Sequence, residues 1–342
     1  MKIFRNLFLL MVIHYYVSCI RTVSLPPDFT VRGMLLYIED IDGKGGLFDY
    51  YFGDVVALNP ETGEKYIITK DRFYDEDPSA PDDGRRVIFQ SCRFNGFDLS
   101  ADRNLFIINF SDGKEIWFDR DFDKRFSVIE LSGSDEYPVW SHDGEKVAFR
   151  TYDSTWRDKI LIYSFKDDTL VCIKEGIFKL DKIAWSDDDK YIAYMRNLLE
   201  DLYSAQECID ILDTESKEVI CSIIDSSSNL VLGDFRKGKV LYIKIRRVGK
   251  DRSYYLLEYN IDTREDRLLF EFRETGISSV VYGRRRETVY YIRDVMDESN
   301  HYINCDIYSL NLDTGEIERI TSDGHEKMDL FYCRGLGQAV GE

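Results

Sequence analysis

The sequence predicts an all-β fold, a six-bladed β-propeller of four-stranded antiparallel blades, and three observations carry that reading. A unit of about 50 residues recurs six times, each time as two strand-like pieces in the same order, and an all-strand repeat of that length signals a propeller. Aromatic residues make up 14% of the chain and crowd, with β-branched residues, into the strand-like runs, as a pleated and half-buried surface requires. No segment of roughly 10 to 15 residues carries a capped apolar stripe of period 3.6, so helix is scarce.

The first piece of the unit reads Lys146-Val147-Ala148-Phe149-Arg150, Tyr191-Ile192-Ala193-Tyr194-Met195, Lys239-Val240-Leu241-Tyr242-Ile243 and Thr288-Val289-Tyr290-Tyr291-Ile292, with weaker copies at Arg86-Val87-Ile88-Phe89 and Leu35-Leu36-Tyr37-Ile38. The second piece is a strand entering a polar turn, as in Leu58-Asn59-Pro60-Glu61-Thr62-Gly63 and Leu312-Asp313-Thr314-Gly315-Glu316. In the third unit Glu136 to Trp140 is the innermost strand, Ser141-His142-Asp143-Gly144 a turn, and strands follow from Lys146, Ile160 and Leu170. Asp143 and Gly144 tolerate the positive φ that a tight hairpin demands. The second unit leaves its outer strand open between Glu115 to Phe118 and Phe126 to Glu130.

The tail Lys327 to Gly335 matches an innermost strand and turn, but the chain ends before a second strand, and Gly33 to Ile38 begins as though it followed Gly335. The C-terminal strand is therefore expected to pair with the first blade and close the ring, removing the sheet edges. The blades then span about 33–70 with 326–335, 75–132, 134–176, 179–226, 228–272 and 276–322, and 33–342 form one propeller domain. Longer stretches at 41–51, 93–104, 197–206 and 294–304 fall between second and third strands, so they issue on one face, the expected binding face.

Residues 1–19 read as a signal peptide or lipoprotein leader, with Lys2 and Arg5 before the apolar run Leu7 to Ile13, and 20–32 read as a short linker. Val17-Ser18-Cys19 resembles the lipobox of bacterial lipoproteins, with Tyr16 where that pattern prefers Leu; the resemblance implies lipidation of Cys19 and a membrane anchor. The alternatives are an ordinary signal peptide and a buried leader. Export to the periplasm or outer envelope is expected from the first two readings. Net charge is −18, which argues against nucleic acid, because phosphate binding needs clustered Lys and Arg. The other six cysteines show no Cys-x-x-Cys pair and are expected as buried thiols; a Cys208–Cys221 bridge stays open.

Trp140-Ser141-His142-Asp143-Gly144-Glu145-Lys146-Val147-Ala148-Phe149 and Trp185-Ser186-Asp187-Asp188-Asp189-Lys190-Tyr191-Ile192-Ala193-Tyr194 resemble the Trp-Ser-Pro-Asp-Gly-Lys-x-Ile-Ala-Phe repeat of TolB-like β-propellers, with His142 and Asp187 in place of proline. The likeness covers nearly all of the chain beyond the leader. It implies six blades around an axial channel, usually in an exported protein, and in many members a binding or scaffolding role without chemistry. Trp140, Asp143, Gly144, Trp185 and Asp188 are the structural residues of the repeat. Trp140 and Trp185 share one repeat position, which favours packing between neighbouring blades over ligand stacking.

Chemistry is hard to find. There is no Gly-x-Ser-x-Gly elbow, no phosphate loop and no dinucleotide turn. His142, His301 and His325 fall on different loops and are not expected to share a metal. Asp187-Asp188-Asp189, Asp40 with Asp42, Asp75-Glu76-Asp77, and Asp119, Asp121 and Asp123 lack the spacing of a Ca²⁺ loop and read as solvated turns, as does Arg284-Arg285-Arg286. No cofactor, metal or catalytic residue is assigned. The expected function is binding a protein or peptide, or scaffolding an envelope assembly. The rivals are an enzyme, such as a carbohydrate-active lyase or hydrolase sited at the channel mouth, and a small-ligand sensor. Two acidic groups with an Arg or His at that mouth would favour the enzyme; an apolar or empty channel would disfavour it.

Overall fold

The computed structural model describes residues 25–335 apart from 42–52, 72, 94–102, 121, 127–133, 153, 199–205, 249–250, 273–275, 286 and 297–301. Among the described residues twenty-four strands form six sheets of four. Blade one holds β1 (Leu35–Glu39), β2 (Asp54–Leu58) and β3 (Lys65–Ile67), with β24 (Lys327–Tyr332) paired to β1 on the inside. Blade two holds β4 (Asp75–Ser79), β5 (Arg86–Ser91), β6 (Asn104–Asn109) and β7 (Lys114–Trp117). Blade three runs through β8 (Glu136–Trp140), β9 (Lys146–Tyr152), β10 (Asp158–Ser164) and β11 (Thr169–Ile177), and blade four through β12 (Leu180–Trp185), β13 (Tyr191–Asn197), β14 (Glu207–Asp213) and β15 (Val219–Ile224). Blade five holds β16 (Ser228–Arg236), β17 (Lys239–Val248), β18 (Asp251–Asn260) and β19 (Glu265–Phe272); blade six holds β20 (Gly276–Tyr282), β21 (Thr288–Met296), β22 (Tyr302–Asn311) and β23 (Ile317–Arg319). The outer strand of blade two is thus the Lys114 run. The one α-helical segment among the described residues, α1 (Phe122–Arg125), is a single turn after it, and 127–130 lie outside the described residues.

The strands follow from alternation. One face of each sheet meets the preceding blade and the other the following blade, so both faces are apolar along the inner strands and the outer strands turn polar. Six apolar clusters result, one between each neighbouring pair. Leu36, Ile38 and Val55 meet Val87 and Phe89 between blades one and two, and Val281, Ile292 and Ile307 of blade six meet Leu35, Tyr37 and Tyr332 of blade one. The latter cluster seals the ring, as the repeat phase of the two chain ends required. Leu35 stands opposite both Leu58 and Tyr332, so β1 is an interior strand with no free edge.

The segment before β1 is tied down over its described part. Phe29 packs on Tyr66 and Phe110 at ring centroid distances of 4.9 and 5.0 Å, and the Val31 N–H donates to the Gly84 carbonyl at 2.9 Å. All six described cysteines are free thiols; Cys208 stands opposite Ile224 and Cys221 opposite Ile211, too far out of register to bridge. Residues 1–24, including Cys19, lie outside the described residues.

Candidate binding site at the propeller axis

Every inner strand carries a bulge against its neighbour. The register slips at Glu76/Ser79 in β4, Glu136/Val139 in β8, Leu180/Lys182 in β12, Leu232/Asp234 in β16 and Ile277/Ser279 in β20, and β24 slips where it meets Leu36 and Ile38. A bulge re-aims the side chains that follow it, and here it does so at a similar depth in all six blades. In three consecutive blades the extra residue is left-handed: Asp329 at φ 56°, Asp77 at φ 49° and Tyr137 at φ 53°. Aspartate tolerates that region, but for tyrosine it is strained, and such strain concentrates at functional sites.

Asp77, Tyr137 and Asp329 line one mouth of the axial channel together with Lys182 of the fourth blade. The Asp77 N–H donates to Asp329 Oδ2 at 3.3 Å. Behind them, Gln90 donates to Glu76 Oε2 at 2.6 Å and accepts from the Tyr137 N–H at 3.0 Å, while Arg103 Nε lies 3.1 Å from Glu76 Oε2. Burial pushes the Asp77 carboxyl well above the usual range, reinforced by Asp329 and Glu76, and raises Asp329 likewise. Burial also carries Glu76 up to about 7 against the pull of Arg103, and lowers the Lys182 ammonium even though Asp329, Asp77 and Asp234 all favour its charge. The mouth therefore presents carboxyls shifted by burial and by one another toward the protonated form.

The mouth opens on a narrow waist. The mouth's own cavity and a second one beside it share Val139, Ile183, Leu330 and Phe331 around Lys182 and enclose only about 50 and 60 Å³. That volume holds a water or two, far below the several hundred Å³ of a small-molecule site. At the other end Arg334 reaches from blade one to Asp234 of blade five, donating at 2.7 Å, and both line the second cavity. Thus the acidic groups and the cations meet at one mouth, but over a waist too narrow for a sugar ring.

The ends of β1, β5, β13 and β21 that lead into the longer segments lie at the level where the inner strands begin, the level of Asp77 and Asp329. Most residues of those four segments lie outside the described residues. The hairpin turns after the inner strands face the opposite way, and the repeat residues sit there. Trp140 is buried between blades two and three, with the Arg86 guanidinium 4.4 Å from its ring, and Trp185 is buried between blades three and four. Ser141 Oγ donates to Asp143 at 2.6 Å, Ser186 Oγ to Asp188 at 2.8 Å. Gly144 has φ 73°, and a Cβ there would stand 2.8 Å from Arg86 Nη2, so both backbone and space call for glycine.

The acidic clusters of the sequence disperse. Asp187 accepts from the Lys237 N–H of blade five and Asp189 from the His142 N–H of blade three, at 2.8 and 2.7 Å, so that triplet stitches three blades together. Asp75 pairs with Arg93 at 3.0 Å, Asp119 accepts from the Leu105 N–H at 2.9 Å, and Asp40 is buried; Asp42 and Asp121 lie outside the described residues. Arg284 lies 3.7 Å from Glu61, and Arg286 and His301 are outside the described residues. His142 contacts Asp82 and His325 contacts Glu39 at 2.6 Å. Glu39, Asp323 and His325 bring ligand atoms within 4.8 Å of one another, but Lys65 already bonds Glu39 and Asp323 and Lys327 bonds Asp323, so ammonium groups occupy the place of a cation.

No protein-family profile and no curated protein matches this chain. Solved structures do. TolB from Acinetobacter baumannii superposes with a TM-score of 0.63 at 11% identity, over 87% of this chain and 66% of that one. The likeness establishes the fold. A putative TolB from Agrobacterium tumefaciens gives 0.58 at 13% identity, over 84% and 89% of the two chains, and a chain of a nidogen/laminin complex gives 0.53 at 11%, over 87% and 93%. The six-bladed propeller expected from the repeats is the architecture found, with TolB structures among its neighbours in fold.

Proposed function

We propose that this chain is an exported, non-catalytic propeller that binds a protein or peptide segment at the axial mouth formed by Asp77, Tyr137, Lys182 and Asp329. The observation that carries it is the mouth itself: three left-handed bulge residues hold polar groups at the rim of a waist of about 50 Å³. Carboxyls beside the Lys182 ammonium and the Tyr137 hydroxyl supply acceptors and donors that match the amides and carbonyls of an extended chain lying across the rim. A neighbour of the fold occurs in a nidogen/laminin complex, which supports a protein partner. The leader with Cys19 supports export and an envelope location, with lipidation as its anchor.

A second reading, hydrolysis or lyase chemistry on a carbohydrate, draws on the same carboxyls, since Asp77 and Asp329 meet near Lys182 and Arg103. The narrow waist ranks it second. Co-purification from an envelope extract separates the two. Asn tolerates the left-handed region, so the chain carrying Asp77→Asn and Asp329→Asn keeps its backbone while losing both acids. Loss of at least tenfold in partner recovery, with no turnover of polysaccharide by the unsubstituted chain, is expected; equal recovery by both chains would contradict the proposal.

A further inference from the structure

A basic hairpin projects from this acidic molecule. Between residues 244 and 252 five of nine residues are Lys or Arg, in a chain of net charge −18. Lys244, Arg246 and Arg247 lie on β17 and Arg252 on β18, ten residues each, whose pairing continues to Val248↔Asp251; Lys250 lies outside the described residues. Arg246, Arg247 and Arg252 are exposed, and among the described residues none of them has an ion-pair partner. Arg247 stands directly opposite Arg252, a like-charge pair that costs stability unless an anion offsets it.

On the face toward blade four the root of this hairpin forms an open groove of about 470 Å³, lined by Ser227, Lys244, Arg246, Tyr255, Leu257 and Leu268. Its volume lies in the range of ligand sites, unlike the axial cavities. Lys244 is committed to Asp225, which leaves Arg246 as the unpaired cation of the rim. The floor is apolar, and Leu268 is 55% exposed on the outermost strand of the blade.

We propose that this groove is a second docking site, independent of the axial mouth, for a short acidic peptide segment of a partner protein. An aliphatic or aromatic side chain of that segment covers Tyr255, Leu257 and Leu268, its carboxylate pairs with Arg246, and Arg247 and Arg252 at the hairpin tip steer its approach. A bilayer or nucleic acid fits less well. Either would leave the apolar floor uncovered and would bring an extended anionic surface against the acidic remainder of the molecule, whereas a short segment engages only the basic patch within a screening length of about 8 Å.

Selection from a random heptapeptide phage library on the full chain tests this. The unsubstituted chain is expected to enrich peptides pairing Asp or Glu with Leu, Ile or Phe. Arg246→Glu should reduce that enrichment at least tenfold, and Leu268→Ser should erase the apolar preference; both residues are at the surface, and unchanged thermal melting verifies the fold. Asp77→Asn with Asp329→Asn should leave the enrichment intact, which separates this site from the axial one. Identical enrichment by the unsubstituted chain and Arg246→Glu would overturn the proposal. So would selected peptides without an acidic excess, or binding of phosphatidylglycerol vesicles with no peptide enriched.

Discussion

Asp294 shows how much one residue's surroundings determine its behaviour. It sits near the end of β21 at 6% exposure, where Ser278 Oγ donates to it at 3.0 Å and no cation among the described residues offsets its charge, so burial pushes its carboxyl up to about 7. The folded value exceeds the ~3.9 of an unfolded chain, so the native state keeps a proton that the unfolded state releases. Stability from this group is therefore complete below about pH 4 and is lost as the pH rises through 7. Glu76 and Asp119, pushed up to about 7 and about 6, act in the same direction. Asp294→Asn is expected to flatten part of that slope and stabilise the protein at pH 8 by on the order of 2 kcal/mol, read from urea titrations at pH 5 and pH 8. An unchanged slope would contradict this account. Nothing in the sequence marks Asp294, because alternation puts it on a face without saying what covers that face. The Ser141 to Gly144 turn is legible by contrast: its hydrogen bonds are local and its glycine meets a backbone requirement written into the residue type.

Among the elements, the inner strands and the closing strand differ in what the sequence could reveal. Strand β24 is legible as a repeat out of phase with the chain ends, since its pattern of apolar residues is that of the other inner strands. The bulges are not. Asp77, Tyr137, Lys182 and Asp329 are far apart along the chain, and nothing distinguishes a bulged aspartate from a solvated one until neighbouring strands set the register; Asp77 indeed reads as part of an acidic turn. The closing strand also carries an ion network hidden from the sequence. Lys327 has no exposed surface and donates to Asp323 and to the His325 carbonyl at 2.5 and 2.9 Å, 3.8 Å from Asp306. Burial works against the Asp323 charge, yet Lys327 and Lys65 hold that carboxyl well below its usual range. Lys327→Ala removes the buried ammonium of this network while Asp306 keeps Arg319 and the exposed Asp323 keeps Lys65, and is expected to cost about 1–3 kcal/mol, seen as a lower denaturant midpoint at unchanged slope. A midpoint equal to that of the unsubstituted chain would show that the network is incidental to closure.

At the scale of the whole molecule, blade number and fold class were legible because a repeat writes the same pattern six times, so errors in one copy are corrected by the others. Function was less so, because the axial mouth gathers one residue from each of several blades and the groove of blade five brings Ser227 and Leu268 together with residues of β17 and β18. Both sites presuppose a closed ring: only then are the bulges of blades one to three held around one axis. Native-state amide hydrogen exchange tests that closure on the unaltered protein. If β24 seals the ring, amides of Leu35–Glu39 and Lys327–Tyr332 that bond across β1 and β24 exchange as slowly as those of Lys146–Tyr152 in the middle of blade three, through global unfolding. Exchange of both terminal strands orders of magnitude faster than β9 would mean that the ends lie loose, and would contradict the account.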